Sequence, residues 1–185
     1  MYAPGACTWV TVEGLTRELC GRSRPIHFRG VATVVMKLMN IAQPDRAYFG
    51  QKDAQQLAVI RRMVRDLNMP LQVVGCPIVR EADGLAKSSR NTYLSDEERR
   101  AARILSKSLA AGRALLEKGE TATASVIAEI TRTIETEPLA RIDYVQAVDA
   151  DTIEPVETVK GCVLFAIAVY IGKTRLIDNF YRTAE

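Results

Sequence analysis

Two short stretches hold most of the groups able to do chemistry. Residues 83–100, DGLAKSSRNTYLSDEERR, place Lys87, Ser88, Ser89 and Arg90 in succession. Two cations and two hydroxyl donors suit a polyphosphate whose charge grows in a transition state. A solvated hinge between domains is the competing reading of that loop. Residues 50–53, GQKD, lie between a short apolar run and a helical pattern. Lys52 would stand at the start of the helix, where the first amides favour an anion, and Gly50 would let backbone approach a ligand closely. Asp53 and Gln56 also have the spacing of a capping box, so the stretch has a purely structural reading as well. The single histidine, His27, sits in GRSRPIHFRG beside Arg22, Arg24 and Arg29. An imidazole among cations tends to stay neutral, which suits a hydrogen bond to an anion better than proton storage. A surface loop with solvated basic residues explains the same pattern.

The elements that would position these groups follow from periodicity. In GVATVVMKLMNIAQP, Val31, Val34, Val35 and Leu38 fall on one helical face and the polar Thr33, Lys37 and Asn40 on another, and Pro44 ends the helix. RAYFG reads as a short buried strand, and LQVVGCP as another. Between them DAQQLAVIRRMVRDLN is helical, with Leu57, Ile60, Val64 and Leu67 inward and Arg61, Arg62 and Arg65 outward. Strand, helix and strand over about thirty residues make a βαβ unit with parallel strands. In such a sheet ligands bind beyond the carboxyl ends of the strands, where both loaded loops lie, and the two loops are expected to meet there.

Ser95 and Glu98 form a capping box that opens a long helix, with Ile104, Leu105, Leu109, Leu115 and Leu116 as its apolar stripe up to Gly119. A further helix places Val126, Ile127, Ile130 and Ile134 inward and stops at Pro138. The strands IDYVQAV, CVLFAIAVYI and TRLIDN come next, the last two joined at Gly172-Lys173. The expected fold class is α/β: a partial Rossmann-like parallel-sheet segment at 1–92, then a small α+β domain at 93–185. Arg99, Arg100 and Arg103 read as solvated helix residues without a role in a site.

Composition narrows the function classes. A chain of 185 residues with net charge +3 and 6% aromatic residues offers little for stacking nucleic-acid bases, so no nucleic-acid partner is expected. Cys7, Cys20, Cys76 and Cys162 lie far apart without a C-x-x-C pair. Neither a zinc site nor a disulfide framework is expected, and a reducing cytoplasm fits. The longest apolar run, residues 162–171, is about half the roughly 20 residues of a spanning helix, and the first residues lack a basic flank with an apolar core. Neither membrane insertion nor secretion is expected.

Taken together, RPIHFRG, FGQKDAQQ, VREADGLAKSSRNTYL and TRLIDN resemble the pantothenate synthetase family, ligases that join pantoate to beta-alanine. The order and spacing fit along the whole chain, and four separate motifs make the likeness specific. The resemblance implies a nucleotidyltransferase-like α/β fold related to class I aminoacyl-tRNA synthetases, with AKSSR similar to their phosphate-clamping K-M-S-K-S loop. It implies ATP with Mg2+ as the substrate complex, no metal site of the protein's own, a pantoyl adenylate intermediate, and a homodimer at full length. By motif position, Gly50, Gln51, Lys52, Asp53 and Val79 would border the nucleotide, with Lys52 on the phosphates and Val79 on the adenine side. Lys87, Ser88, Ser89 and Arg90 would bind phosphate, Gln56 would hold pantoate, and Arg24 and His27 match a further active-site pair.

The family also begins with a segment holding an H-I-G-H-type motif after P-T-M-G, and neither occurs in residues 1–185. The chain therefore reads as the carboxyl-terminal portion of such an enzyme, with catalysis by this portion alone not expected. A folded, non-catalytic interaction module is the competing class. Gln51 stands where the family usually has Glu, which would soften the electrostatics toward Mg2+ or phosphate.

Overall fold

The computed structural model describes residues 1–184, and their contacts divide them into two compact units, one ending at Pro77 and one beginning at Ile78. In the first unit, α1 (Leu19–Ser23) and α2 (His27–Ala42) precede β1 (Arg46–Gly50), α3 (Ala54–Asp66) and β2 (Gln72–Cys76). A 3-10 turn, Gln51–Asp53, joins β1 to α3. The two strands are parallel, in register from Arg46 opposite Gln72 to Gly50 opposite Cys76. The expected βαβ unit is present. Helix α2 ends where Gln43 turns left-handed at φ 47 and donates its N–H to Met39 O at 2.8 Å.

The core of this unit is Ala32 and Met39 of α2 against Ile60, Met63 and Val64 of α3, with Ala47, Phe49 and Val73 of the strands half-buried beside them. The inward face of α2 is rotated from the expected one: Thr33 and Met39 are buried, Val31 and Val35 are half-buried, and Leu38 is 47% exposed. Thr33 can be buried because its Oγ1 accepts from Val10 N at 2.9 Å and donates to Arg29 O at 2.7 Å, so no polar atom is stranded. Leu67, expected inward, lies past the end of α3 and is 49% exposed.

The second unit has α4 (Asp96–Ala102), α5 (Ile104–Glu117) and α6 (Thr123–Ile134), followed by β3 (Ala140–Asp149), β4 (Cys162–Ile171) and β5 (Thr174–Thr183). The strands form an antiparallel sheet in the order β3-β4-β5. Val163, Phe165, Ile167, Val169 and Ile171 alternate along β4 toward a core shared with Leu105 and Leu109 of α5 and Val126, Ile130 and Ile134 of α6. Each such buried aliphatic contributes about 1.5–3 kcal/mol, enough to give this unit its own core. The Ser95–Glu98 capping box is complete, with Ser95 Oγ accepting from Glu98 N and Glu98 Oε2 accepting from Ser95 N. The long helix expected after it is two, broken at Arg103, whose N–H bonds back three residues to Arg100 O at 3.4 Å.

The loop before residue 95 is ordered by local pairing. Arg80 and Ala86 form an isolated antiparallel bridge, Leu85 and Ala86 are buried, and Ser89–Tyr93 is a 3-10 turn. It packs with the second unit, because Leu85 belongs to that core and Arg80 pairs with Asp178 of β5. The division between units thus falls at Pro77/Ile78 rather than at 92/93.

Candidate functional site

In the first unit, the candidate residues collect where β1 runs into α3. Gly50 ends the strand with ordinary extended geometry, φ −69 and ψ 132. Gln51 and Lys52 are half-buried in the 3-10 turn, and Gln56 is half-buried in the first turn of α3. Asp53 occupies the cap position of α3 and makes no side-chain cap hydrogen bond, so the capping-box reading of Asp53 and Gln56 is not realised. The amides at this helix start therefore lack that satisfying carboxylate. Arg24 is exposed beyond α1, and its carbonyl accepts from His27 N at 3.0 Å. His27 opens α2, half-buried, with its ring 5.0 Å from that of Phe28. Arg29 is taken up differently from the expected basic cluster: its guanidinium stacks 4.9 Å from the Trp9 ring.

In the second unit, Lys87, Ser88 and Ser89 line an open cleft of about 610 Å³ with Glu81, Asn91, Thr92 and Arg99. Local sequence shapes this wall. Ser88 Oγ accepts from Arg90 N at 3.3 Å, starting the 3-10 turn, and Asn91 N donates to Ser88 O at 3.1 Å. Lys87 N donates to Val79 O at 2.9 Å, while Lys87 and Arg90 are exposed and Val79 is 65% exposed. Asn91, buried, donates from Nδ2 to Glu81 Oε1 at 2.7 Å and to Ala86 O at 3.2 Å.

Arg99, expected to be a solvated helix residue, is paired instead. Its Nη2 lies 2.6 Å from Glu81 Oε2, and its Nε lies 3.0 Å from Asp83 Oδ2. The side chains are 28%, 30% and 26% exposed for Arg99, Glu81 and Asp83, so the network is partly screened by water. Arg99 and then Asn91 hold the Glu81 carboxyl below the usual carboxylate range. Partial desolvation pushes Asp83 up, but the Leu85 amide and Arg99 outweigh it and keep that carboxyl low. Arg99 is raised in return, through Glu81 first. The network joins both ends of the cation-bearing stretch to α4. No local pattern could announce it, because Arg99 and Glu81 are eighteen residues apart. A weaker signal existed for Asp178, an acid at the same strand phase as Leu176 and Phe180. Its side chain is fully buried and paired with Arg80.

Chemically, the first unit presents a cation beside the amides of a helix start and the second presents cations beside two serine hydroxyls, arrangements able to neutralise phosphate oxygens without forming a covalent intermediate. Among the described residues, no group of three or more His, Cys, Asp or Glu side chains is placed to hold a metal ion, and no helix is long and apolar enough to cross a membrane.

A family model described as Pantoate-beta-alanine ligase matches residues 1–181. Pantothenate synthetase of Ruminiclostridium cellulolyticum is 60% identical over 180 residues, which cover 97% of this chain and 64% of that protein. Its Heliobacterium modesticaldum counterpart is 65% identical over 179 residues with the same coverage. The crystal structure of pantothenate synthetase from Thermus thermophilus superposes with a TM-score of 0.93 at 46% identity, covering 97% of this chain and 65% of that one. A Francisella tularensis pantoate-beta-alanine ligase, solved in complex with beta-gamma ATP and beta-alanine, superposes at 0.68 with 29% identity, covering 96% of this chain and 59% of that one. The chain thus spans about two thirds of the length of these relatives.

Proposed function

The chain belongs to the pantoate-beta-alanine ligase family, and from that membership we propose that it carries the phosphate-handling part of an ATP-dependent ligase that condenses pantoate with beta-alanine. The family match along residues 1–181 is the observation that carries this reading. In the first step, a pantoate carboxylate oxygen attacks the α-phosphorus of ATP and the bond to the β-phosphate bridging oxygen breaks, releasing pyrophosphate. In the second, the amine of beta-alanine attacks the acyl carbon, AMP leaves, and the nitrogen gives up a proton. Both steps ask for alignment and charge neutralisation.

Lys52 at the strand-to-helix turn and Lys87, Ser88, Ser89 and Arg90 in the ordered loop are assigned to the phosphates. Gly50, Gln51, Asp53 and Val79 are assigned to the rest of the nucleotide, Gln56 to pantoate, and Arg24 and His27 to the same site. The first unit then supplies Gly50–Asp53, Gln56, Arg24 and His27, and the second supplies Val79 and the Lys87–Arg90 loop. Mg2+ enters as part of the Mg-ATP substrate, carried on its phosphates. The enzyme acts in the cytoplasm, as a homodimer, on small molecules.

Pantoate-dependent release of pyrophosphate tests this reading. The assay compares the 185-residue chain with the same chain preceded by the amino-terminal third of the Ruminiclostridium cellulolyticum relative. The hybrid is expected to release pyrophosphate with pantoate and to form pantothenate once beta-alanine is added, and the 185-residue chain to do neither. A folded hybrid that gives no product, or activity unchanged by Lys52→Ala, counts against the proposal.

A further inference from the structure

The first unit contains a buried, multiply bonded polar side chain to which the proposed reaction gives no part. Gln55 is 5% exposed. Its Nε2 donates to Leu15 O at 2.9 Å and to Glu18 O at 2.8 Å, and its Oε1 accepts from Gly21 N at 3.3 Å. All three partners are backbone groups of a segment thirty-four to forty residues earlier in the chain. Two of these bonds bracket Leu19, a buried residue in the left-handed region at φ 51. A non-glycine residue keeps that conformation only where its surroundings over-determine it. The turn is also closely packed: a Cβ on Gly21 would run into the carbonyl of Thr16. A side chain of α3 thus helps to fix a segment that has little regular structure of its own.

What lies on either side of Gln55 gives this tie its meaning. The tethered segment leads through α1 to Arg24 and, at the start of α2, His27. Along α3, Gln55 immediately precedes Gln56 and follows the Lys52 turn. Successive helical residues point about 100° apart, which lets Gln55 face inward while Gln56 stays half-buried. We propose that Gln55 is a positioning residue, holding the segment that presents Arg24 and His27 in fixed register with the Lys52–Gln56 turn. The two sets of side chains are then preorganised as one substrate site rather than gathered when the substrate arrives. This rests on the function proposed above only in naming the place a substrate site.

The test uses the 185-residue chain. Its only histidine makes the imidazole resonances of His27 unambiguous. Gln55→Met keeps length and packing but removes all three hydrogen bonds. Gln55→Glu, in its ionised form, keeps an acceptor for Gly21 N and cannot donate to the two carbonyls. For Gln55→Met, amide exchange across residues 15–24 is expected to rise on the order of tenfold and the His27 ring signals to move, while amides of 57–66 stay protected. Gln55→Glu should retain protection at Gly21 alone. In the wild-type chain, the side-chain amide protons of Gln55 should exchange far more slowly than those of an exposed glutamine, a measurement that needs no variant to fold. Exchange of 15–24 at the wild-type rate in Gln55→Met, unmoved His27 signals, or a fast-exchanging Gln55 side chain would each overturn the proposal. A failed pyrophosphate assay with His27 still coupled to Gln55 sinks the ligase reading alone.

Discussion

Arg80 and Asp178, ninety-eight residues apart, meet as a two-pronged ion pair, with Nη1 2.7 Å from Oδ2 and Nη2 3.0 Å from Oδ1. Arg80 Nη1 also reaches Gly84 O at 3.0 Å, so one guanidinium ties strand β5 to the loop that carries the candidate phosphate ligands. The Asp178 side chain is wholly buried, while a third of the Arg80 side chain is exposed.

Removing the arginine should therefore be expensive. Arg80→Ala leaves a buried carboxylate that keeps the Asn179 amide at 2.8 Å and loses its cation. A loss of about 3 kcal/mol in the stability of the second unit is expected, at the low end for a broken buried pair because Arg80 is partly wet. Arg80→Lys, which keeps charge without the fork, should fall between. Urea denaturation followed by exchange of the β5 amides measures both. A loss below about 1 kcal/mol would show that the pair does not anchor the loop.

Acid should loosen the Arg99 network before it unfolds the chain. Glu81 and Asp83 both have carboxyls held below their ordinary values in the folded state. Their stabilising contribution is fully present above the unfolded carboxylate range and is lost as pH falls through the lowered folded values. Protection of amides 81–91 should accordingly be flat above about pH 5 and decline below it. In Arg99→Met that acid-dependent decline should shrink, because the largest cause of the Glu81 shift has gone. An identical pH profile in the two proteins would refute the bracing.

In the hybrid enzyme, Lys52→Ala and Arg90→Ala should damage adenylate formation far more than pantoate binding. Charge on the transferring phosphates grows as pyrophosphate departs, so a cation there acts mainly on the transition state. Each loss should raise the barrier by roughly 2–4 kcal/mol. Gln56→Ala, removing an uncharged amide, should appear chiefly as weaker apparent affinity for pantoate. Steady-state constants for the three variants decide it. A turnover number near wild type in Lys52→Ala defeats the assignment of that lysine.

Gly112 of α5 packs directly against α6. A Cβ there would come within 2.7 Å of Ile130 Cγ1 and 2.8 Å of its Cδ1, and Ile130 is completely buried. Gly112→Ala should cost about 1–3 kcal/mol through overpacking, despite the better helix propensity of alanine. Gly112→Ala combined with Ile130→Val should recover part of the loss. Thermal melts of the single and double variants check this, and additive losses would mean that the two positions do not press on each other.

Much of the fold was legible in residue order. The parallel β1–β2 pair and the three-stranded sheet followed from short apolar runs with helical patterns between or before them. The Ser95–Glu98 cap followed from a four-residue motif. Each of these signals is local, and local chemistry fixes it. The face of α2 was read wrongly because a threonine was counted as polar. Thr33 is buried by two hydrogen bonds, one of them to Val10, twenty-three residues away.

The candidate residues divide in the same way. The types in GQKD and AKSSR, cations and hydroxyls at a turn, were decided by the sequence and carried both the phosphate reading and the family likeness. Which side chains hold those groups was decided only in three dimensions. Arg99 on Glu81 and Asp83, Arg80 on Asp178, and Gln55 on the 15–21 segment join residues sixteen to ninety-eight positions apart. The exposed or buried state of an arginine, acid or amide depends on whether a partner reaches it to repay its desolvation. Composition and spacing name the groups that can bind an anion, and only packing brings the distant partners that keep them in place.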